Sequence, residues 1–283
     1  MAAKKKHTYK AVENSLAANL RLDGRVAIIT GGGGMLGRQH AKVIHEFGGI
    51  PIIVDIHQAS ARAAAKEVGE RAVALTLDIT QPDKVRQAAR RIQRRFGRVD
   101  ILINNAARNP KVELGTLGAG RLEDFDLDAW NADLAVGLTG AVICSRYFGE
   151  LMADAGHGVI LNISSDLGLI GPNQTLYEQP DRPPHEQDKK PVSYSVVKSG
   201  LLGLTRYLAT YWADRGVRTN AICPGGVAEN PPAEFLAKIT KLIPMQRMAR
   251  KDDYQGMVLL MCSDAGAYMN GSVVSVDGGR TCW

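Results

Sequence analysis

The chain has little cysteine, no long apolar run and no tandem repeat, and each absence removes a class of protein. Its four cysteines among 283 residues (Cys144, Cys223, Cys262 and Cys282) are scattered, with no Cys-x-x-Cys pair. That spacing argues against a disulfide scaffold and a zinc module and suits a reducing compartment, so a cytoplasmic protein without a metal site is expected. No apolar run approaches the about 18 residues a membrane-spanning helix needs. The first residues carry charge but no apolar stretch behind it, so neither a secretory signal nor a membrane partner is expected. No solenoid-type repeat and no dividing linker is present.

What remains is ordinary for a globular chain: 45% apolar and 23% charged residues. The length suits one large α/β domain or two small ones. The formal charge is +6, but Lys4, Lys5, Lys6 and Lys10 supply four of those units. The body is nearly balanced, so no nucleic-acid partner is expected. Arg90, Arg91, Arg94, Arg95 and Arg98 recur at helical spacing and read as a solvated helix face. Residues 1–21 are expected to be a flexible extension, and residues 22–283 one domain.

Short β-rich runs alternate with longer helical patterns. Candidate strands are Val26–Thr30, Ile50–Asp55, Ala72–Leu77, Val99–Asn104, Val159–Ile163, Val217–Cys223 and Ser272–Val276. Several are apolar almost throughout, as strands buried on both faces should be. Helical patterns include Met35–Phe47, Asp83–Phe96 and Ser195–Ala213, and Gly216 stands where a helix stop belongs. Alternating β and α implies an α/β fold: a doubly wound, parallel, seven-stranded sheet. Residues 171–191 break this rhythm with Pro172, Pro180, Pro183, Pro184 and Pro191. Such a segment forms neither a long helix nor a central strand and reads as a lid or substrate-facing loop.

Two clusters carry chemistry. The run Thr30-Gly31-Gly32-Gly33-Gly34-Met35-Leu36-Gly37 follows the first strand and opens the first long helix. Gly32, Gly34 and Gly37 satisfy G-x-G-x-x-G, whose glycines permit a tight turn and close approach of a pyrophosphate to a helix N-terminus. Asp55 ends the second strand, 18 residues after Gly37. A carboxylate there accepts from a ribose hydroxyl and repels a 2′-phosphate, which favours NAD over NADP, although Arg38 stands near enough to offset that repulsion. The second cluster is Tyr194 and Lys198, four apart at the start of an apolar-periodic segment. On a helix they share one face, and a nearby cation lowers a phenol's pKa toward general acid–base use. The pair alone also occurs on ordinary helices.

Together these pieces resemble the short-chain dehydrogenase/reductase family, from about Leu22 to the C-terminus. Asp78-Ile79 looks like the pair beside the adenine, and Asn104-Asn105-Ala106-Ala107 like the run after the fourth strand. Asn162-Ile163-Ser164-Ser165 looks like the strand end bearing the catalytic serine. Pro224-Gly225-Gly226-Val227 looks like the loop beside the nicotinamide, and Val276-Asp277-Gly278-Gly279 like the C-terminal signature. The resemblance implies a catalytic trio of Ser165, Tyr194 and Lys198. Tyr194 would shuttle the substrate proton, Lys198 would lower the Tyr194 pKa and hold the nicotinamide ribose, and Ser165 would orient the substrate oxygen. It implies cofactor contacts at Gly31, Gly34, Met35, Leu36, Asp55, Ile56, Asp78, Ile79, Asn105, Ala106, Ala107, Tyr194, Lys198, Pro224, Gly225 and Val227. It also implies a homo-oligomer, a tetramer or a dimer. Tyr177, 12 residues after Ser165, stands at a similar spacing, but its fourth follower is Asp181 rather than lysine.

Two departures bear on function. The glycine turn reads T-G-x-x-G-x-x-G, a spacing shared with the sugar-nucleotide-modifying branch. With Asn105-Ala106-Ala107-x-Asn109-Pro110-Lys111 and the insertion, it is similar to flagellin-modification and other surface-sugar oxidoreductases. Gly137 stands before Leu138-Thr139-Gly140, where the family carries an asparagine that holds a water behind the lysine. The expected activity is NAD-dependent hydride transfer on a secondary hydroxyl or ketone of a sugar, polyol or related small molecule. The alternatives are a dehydratase or epimerase that retains NAD, and a catalytically impaired NAD-binding protein. Arg108 and Lys111 are candidates to receive a substrate phosphate or carboxylate. Pocket walls are expected from residues 171–191 and 228–244.

Overall fold

The computed structural model describes residues 15–108 and 120–283. Seven strands form one parallel sheet: β1 Val26–Thr30, β2 Ile50–Asp55, β3 Val73–Thr76, β4 Ile101–Asn104, β5 Gly158–Ile163, β6 Val217–Pro224 and β7 Val273–Val276. Their order is β3-β2-β1-β4-β5-β6-β7. Chain order reverses between β1 and β4, and that switch point opens a crevice beyond the strand C-terminal ends. The register pairs Thr30 with Val54 and Asn104 with Asn162, so the chemistry-bearing strand ends lie side by side.

The helices are α1 Leu16–Asn19, α2 Met35–Glu46, α3 Gln58–Val68, α4 Pro82–Phe96, α5 Leu127–Leu134, α6 Gly140–Ala155, α7 Val192–Tyr211, α8 Ala233–Thr240 and α9 Gln255–Cys262. They cover both faces of the sheet. One core layer joins Ile28, Ile92, Phe148, Met152 and Trp212; the other joins Ile29, Ile44, Ile101, Leu259 and Met261. The central strands β1 and β4 are buried at every position, which explains their unbroken apolar sequence. No helix among the described residues is long and apolar enough to cross a membrane.

Several expected boundaries move. The predicted extension includes α1, capped where Ser15 Oγ accepts from the Ala18 amide at 3.3 Å. The predicted helix 195–213 begins earlier, at Val192, so Tyr194 lies inside its first turn. Gly216 does end the helical run, capping with φ +76° the short 3₁₀ turn that follows α7. Arg90, Arg91, Arg94, Arg95 and Arg98 are exposed as expected, although Arg98 lies past the helix end and forks onto Asp100. Residues 171–191 form two 3₁₀ turns, Gln174–Tyr177 and Pro184–Glu186. Part of the expected loop 228–244 is the helix α8.

The segment carrying Gly137 is not a plain helix. Between α5 and α6 the backbone widens into a π turn, Ala135–Thr139. A Cβ on Gly137 would stand 2.5 Å from Val197 Cγ1 of α7. A side chain at this position would have to displace Val197, which fills the space an asparagine would enter.

Candidate active site

The three residues expected to be catalytic, Ser165, Tyr194 and Lys198, come together at the C-terminal end of β5. Helix α7 packs against the turn that follows β5, and its first two turns carry Tyr194 and Lys198 on one face. Lys198 is buried, and its Nζ donates to the Ile163 carbonyl at 2.9 Å. Burial brings its ammonium down to about 8, with Cys223 opposing and Lys190 adding to the fall. The Lys198 Nζ lies 5.7 Å from the centre of the Tyr194 ring.

The Tyr194 phenol differs from the sequence expectation of a lowered pKa. Burial pushes it up, the hydrogen bond with Ser165 works against that, and Asp166 reinforces the rise. A second lysine also reaches the ring: Lys190, at the end of the insertion, places its Nζ 4.1 Å from the ring centre. Burial brings this ammonium down to about 8, against the pull of Asp166 and Asp133. Tyr177 does not replace Tyr194. Its half-buried ring packs on Phe235 with centroids 6.0 Å apart, and burial pushes its phenol up.

Ser165 is buried after β5. Its Oγ donates to Asp166 Oδ1 at 2.7 Å and accepts from the Leu167 amide at 3.2 Å. Asp166 in turn accepts from Arg280 Nη1 at 2.6 Å, a pair buried on both sides. Neither Asp166, Lys190 nor Arg280 was singled out by sequence reasoning. The available signal was a carboxylate directly after the serine and a guanidinium directly after Asp277-Gly278-Gly279.

The cofactor side is built from backbone. Gly31 has φ +59°, and a Cβ there would stand 2.8 Å from the Ala106 Cα. A Cβ on Gly37 would stand 2.4 Å from the Gly31 carbonyl oxygen. No side chain caps α2, whose N-cap is Gly34, so the first amides, at Met35 and Leu36, are left for an anion. Asn105 Nδ2 donates to the Thr30 and Gly31 carbonyls, and Thr30 Oγ1 accepts from the amides of Asn105 and Ala106. Asn105 thus ties the Ala106-Ala107 loop to the glycine turn. Asp55 accepts from the amides of Gly33 at 3.1 Å and His57 at 3.0 Å. Arg38 bonds the Gly33 carbonyl at 2.9 Å and Glu67 at 2.6 Å.

Exposed Ile56 and buried Ile79 flank Asp78, whose carboxyl the Thr80 hydroxyl holds below its usual range. Across the site, Pro224 ends β6, the Tyr254 hydroxyl donates to the Gly225 carbonyl, and Val227 bridges to Ala249. These residues fit a dinucleotide: a small-residue cradle, open amides and a carboxylate at the second strand end. Arg108 is exposed and lies 3.6 Å from buried Asp133; Asn109, Pro110 and Lys111 lie outside the described residues. Among the described residues no His/Cys/Asp/Glu group could hold a metal ion.

Comparison with known proteins agrees with this geometry. Residues 25–178 match the short chain dehydrogenase family model, and residues 186–281 match a model described as enoyl-(acyl carrier protein) reductase. The chain is 31% identical to cis-4-hydroxycyclohexanecarboxylate dehydrogenase of Sinomonas cyclohexanicum, over 91% of this chain and 96% of that protein. It is 30% identical to D-threitol dehydrogenase of Mycolicibacterium smegmatis, over 96% and 98%. A crystal structure of a gluconate 5-dehydrogenase from Burkholderia cenocepacia, in complex with NADP and tartrate, superposes with a TM-score of 0.81 at 27% identity, over 95% of this chain and 100% of that one. The chain belongs to the short-chain dehydrogenase/reductase family, oxidoreductases that act on CH–OH groups with a nicotinamide cofactor.

Proposed function

We propose that the chain is an NAD-dependent dehydrogenase that oxidises a secondary hydroxyl of a small polyol, sugar or hydroxy acid, or reduces the matching ketone. The observation that carries this reading is the convergence of Ser165, Tyr194 and Lys198 beside the glycine turn, at the open end of the sheet. The polyol and hydroxy-acid relatives support the substrate class. Their names do not support the narrower resemblance to surface-sugar enzymes.

The glycine turn, Asp55, Asp78 and the Asn105–Ala107 loop would hold the nucleotide end of the cofactor; Pro224, Gly225 and Val227 would flank its nicotinamide. When bound, the cofactor supplies hydride acceptance or donation. Tyr194 exchanges a proton with the substrate oxygen at its phenol oxygen. The ammonium of Lys198 favours the phenolate at that moment, and Ser165 orients the substrate oxygen. The cap formed by residues 171–191 with α8 excludes water. Asp55, unopposed by Arg38, supports NAD over NADP, although the gluconate 5-dehydrogenase binds NADP. Stacked, exposed Tyr207 and Tyr211 on α7 support a homo-oligomer built through that helix.

The test is NADH formation, followed by absorbance, across a panel of polyols, sugars, sugar phosphates and hydroxy acids. Net NADH on one of them is expected. Bound NAD with product formed but no net NADH would point to the dehydratase or epimerase alternative. Bound NAD with no turnover would point to an impaired site.

A further inference from the structure

The insertion delivers a cation to the tyrosine of the proposed site. Lys190 precedes Pro191, the residue that caps α7, and a residue before proline is held in extended backbone. Its amide donates to Gln174 Oε1 at 2.8 Å, which ties this end of the insertion to the 3₁₀ turn near its start. With the backbone held from both sides, the side chain crosses Tyr194. Its Nζ stands 4.1 Å from the ring centre, nearer than the 5.7 Å of Lys198. The phenol oxygen lies a ring radius from that centre, so a molecule bonded to the oxygen comes within a few atoms of the ammonium. Lys198 is buried and its Nζ donates to the Ile163 carbonyl, whereas Tyr194 and Lys190 are half-buried and keep part of their surface open.

We propose that Lys190 is a substrate-binding residue that receives a carboxylate, so that the substrate is a hydroxy acid, or the matching keto acid, rather than a neutral polyol. This rests on the reading of Tyr194 as the residue that exchanges the substrate proton. The two carboxylates that act on Lys190 each stand beside a guanidinium: Asp166 is 2.6 Å from Arg280, and Asp133 is 3.6 Å from Arg108. Asp133 also accepts from Ser193 Oγ at 2.6 Å. Lys190 and Lys198 oppose each other's charge, and an anion bound at the phenol relieves that repulsion. An ammonium has three donor hydrogens, so Lys190 can hold a protein partner and still donate to a ligand. Its bond to a carboxylate is charge-assisted on both sides, whereas a polyol hydroxyl offers only a neutral acceptor.

The test compares acids with neutral compounds of the same skeleton: gluconate with sorbitol, tartrate with threitol, and cis-4-hydroxycyclohexanecarboxylate with 4-hydroxymethylcyclohexanol. Each is titrated calorimetrically into the protein with saturating NADH, where no hydroxyl can be oxidised and binding is read apart from turnover. In at least one pair the acid is expected to bind about tenfold tighter. Lys190→Met should abolish that preference and Lys190→Arg should retain it, with the NADH affinity equal in all three proteins. A merely structural lysine would weaken acid and neutral compound alike and leave their ratio unchanged. If the methionine variant does not fold, Lys190→Gln takes its place with the same expectation. No acid preference in any pair, absence of binding included, would overturn the proposal, as would a preference that survives loss of the lysine charge. An acid preference lost in the variant, with no NADH formed from NAD and any of the six compounds, would leave this inference standing and remove the dehydrogenase reading. Oxidation of the neutral compounds without an acid preference would do the reverse.

Discussion

The glycine turn after β1 and the proposed cap of residues 171–191 with α8 flank the proposed catalytic residues, but different forces hold them. The turn is backbone packed on backbone: Gly37 against the Gly31 carbonyl, Gly31 against Ala106, Asn105 bonded to two carbonyls. The cap is side chain packed on side chain. Leu176 of the insertion meets Ile239, Ile243 and Met248 in a small apolar cluster separate from the two main core layers, with Tyr177 and Phe235 at its edge. Gln187 closes the insertion on itself through the Gln179 amide and carbonyl. Backbone packing tolerates almost no added atom, so the turn can serve only one kind of ligand. A small side-chain cluster tolerates repacking, so the cap can change substrate without changing the fold.

Four substitutions sharpen this contrast. Tyr194→Phe, at the junction of the two regions, should reduce turnover by about 10²–10⁴-fold while NAD binding, read by fluorescence titration, is retained. Comparable turnover would remove the proposed mechanism. Gly37→Ala should break the turn, because its Cβ has only 2.4 Å to a carbonyl oxygen. The expected cost is about 3 kcal/mol, at the upper end for overpacking, with NAD affinity lost; a wild-type melting temperature together with normal NAD binding would contradict the backbone account. Leu176→Ala should cost about 2 kcal/mol, the low end for a buried leucine, because its cluster lies at the periphery. Its signature is a raised KM for the hydroxyl substrate with the NAD affinity untouched, and an equal loss of both would show that the regions are not separate. Asp55→Ala is the mildest: the NAD/NADP affinity ratio should fall about tenfold, by removal of a charge worth about 1.4 kcal/mol of discrimination. An unchanged ratio would show that another residue reads the ribose.

The turn and the trio were legible because their chemistry is written in residue types at short spacing. Four consecutive glycines after an apolar strand permit little else, and Tyr194 and Lys198 meet wherever their segment is helical. Gly137 was legible only as a missing asparagine. Its reason, the approach of a π turn to Val197, belongs to the packing of α5–α6 against α7. The direction of the Tyr194 shift was misjudged because a nearby cation is visible in sequence and burial is not. The cap's helix α8 was hidden because proline-rich flanks mask an eight-residue apolar pattern.

The sequence by itself determined the alternation of β and α, the parallel sheet, and the glycine turn and Tyr194–Lys198 pair on which the proposed site is built. Each depends on local periodicity or on a motif shorter than one helix turn and its flanking strand. Tertiary structure alone decided that Arg280 reaches Asp166 across 114 positions of chain, and that Lys190 joins Lys198 beside one tyrosine. It also decided that the insertion and α8 share a core. Those contacts follow from where the right-handed crossovers deliver the chain ends, and charges distant in sequence carry no mark of the partner they will meet.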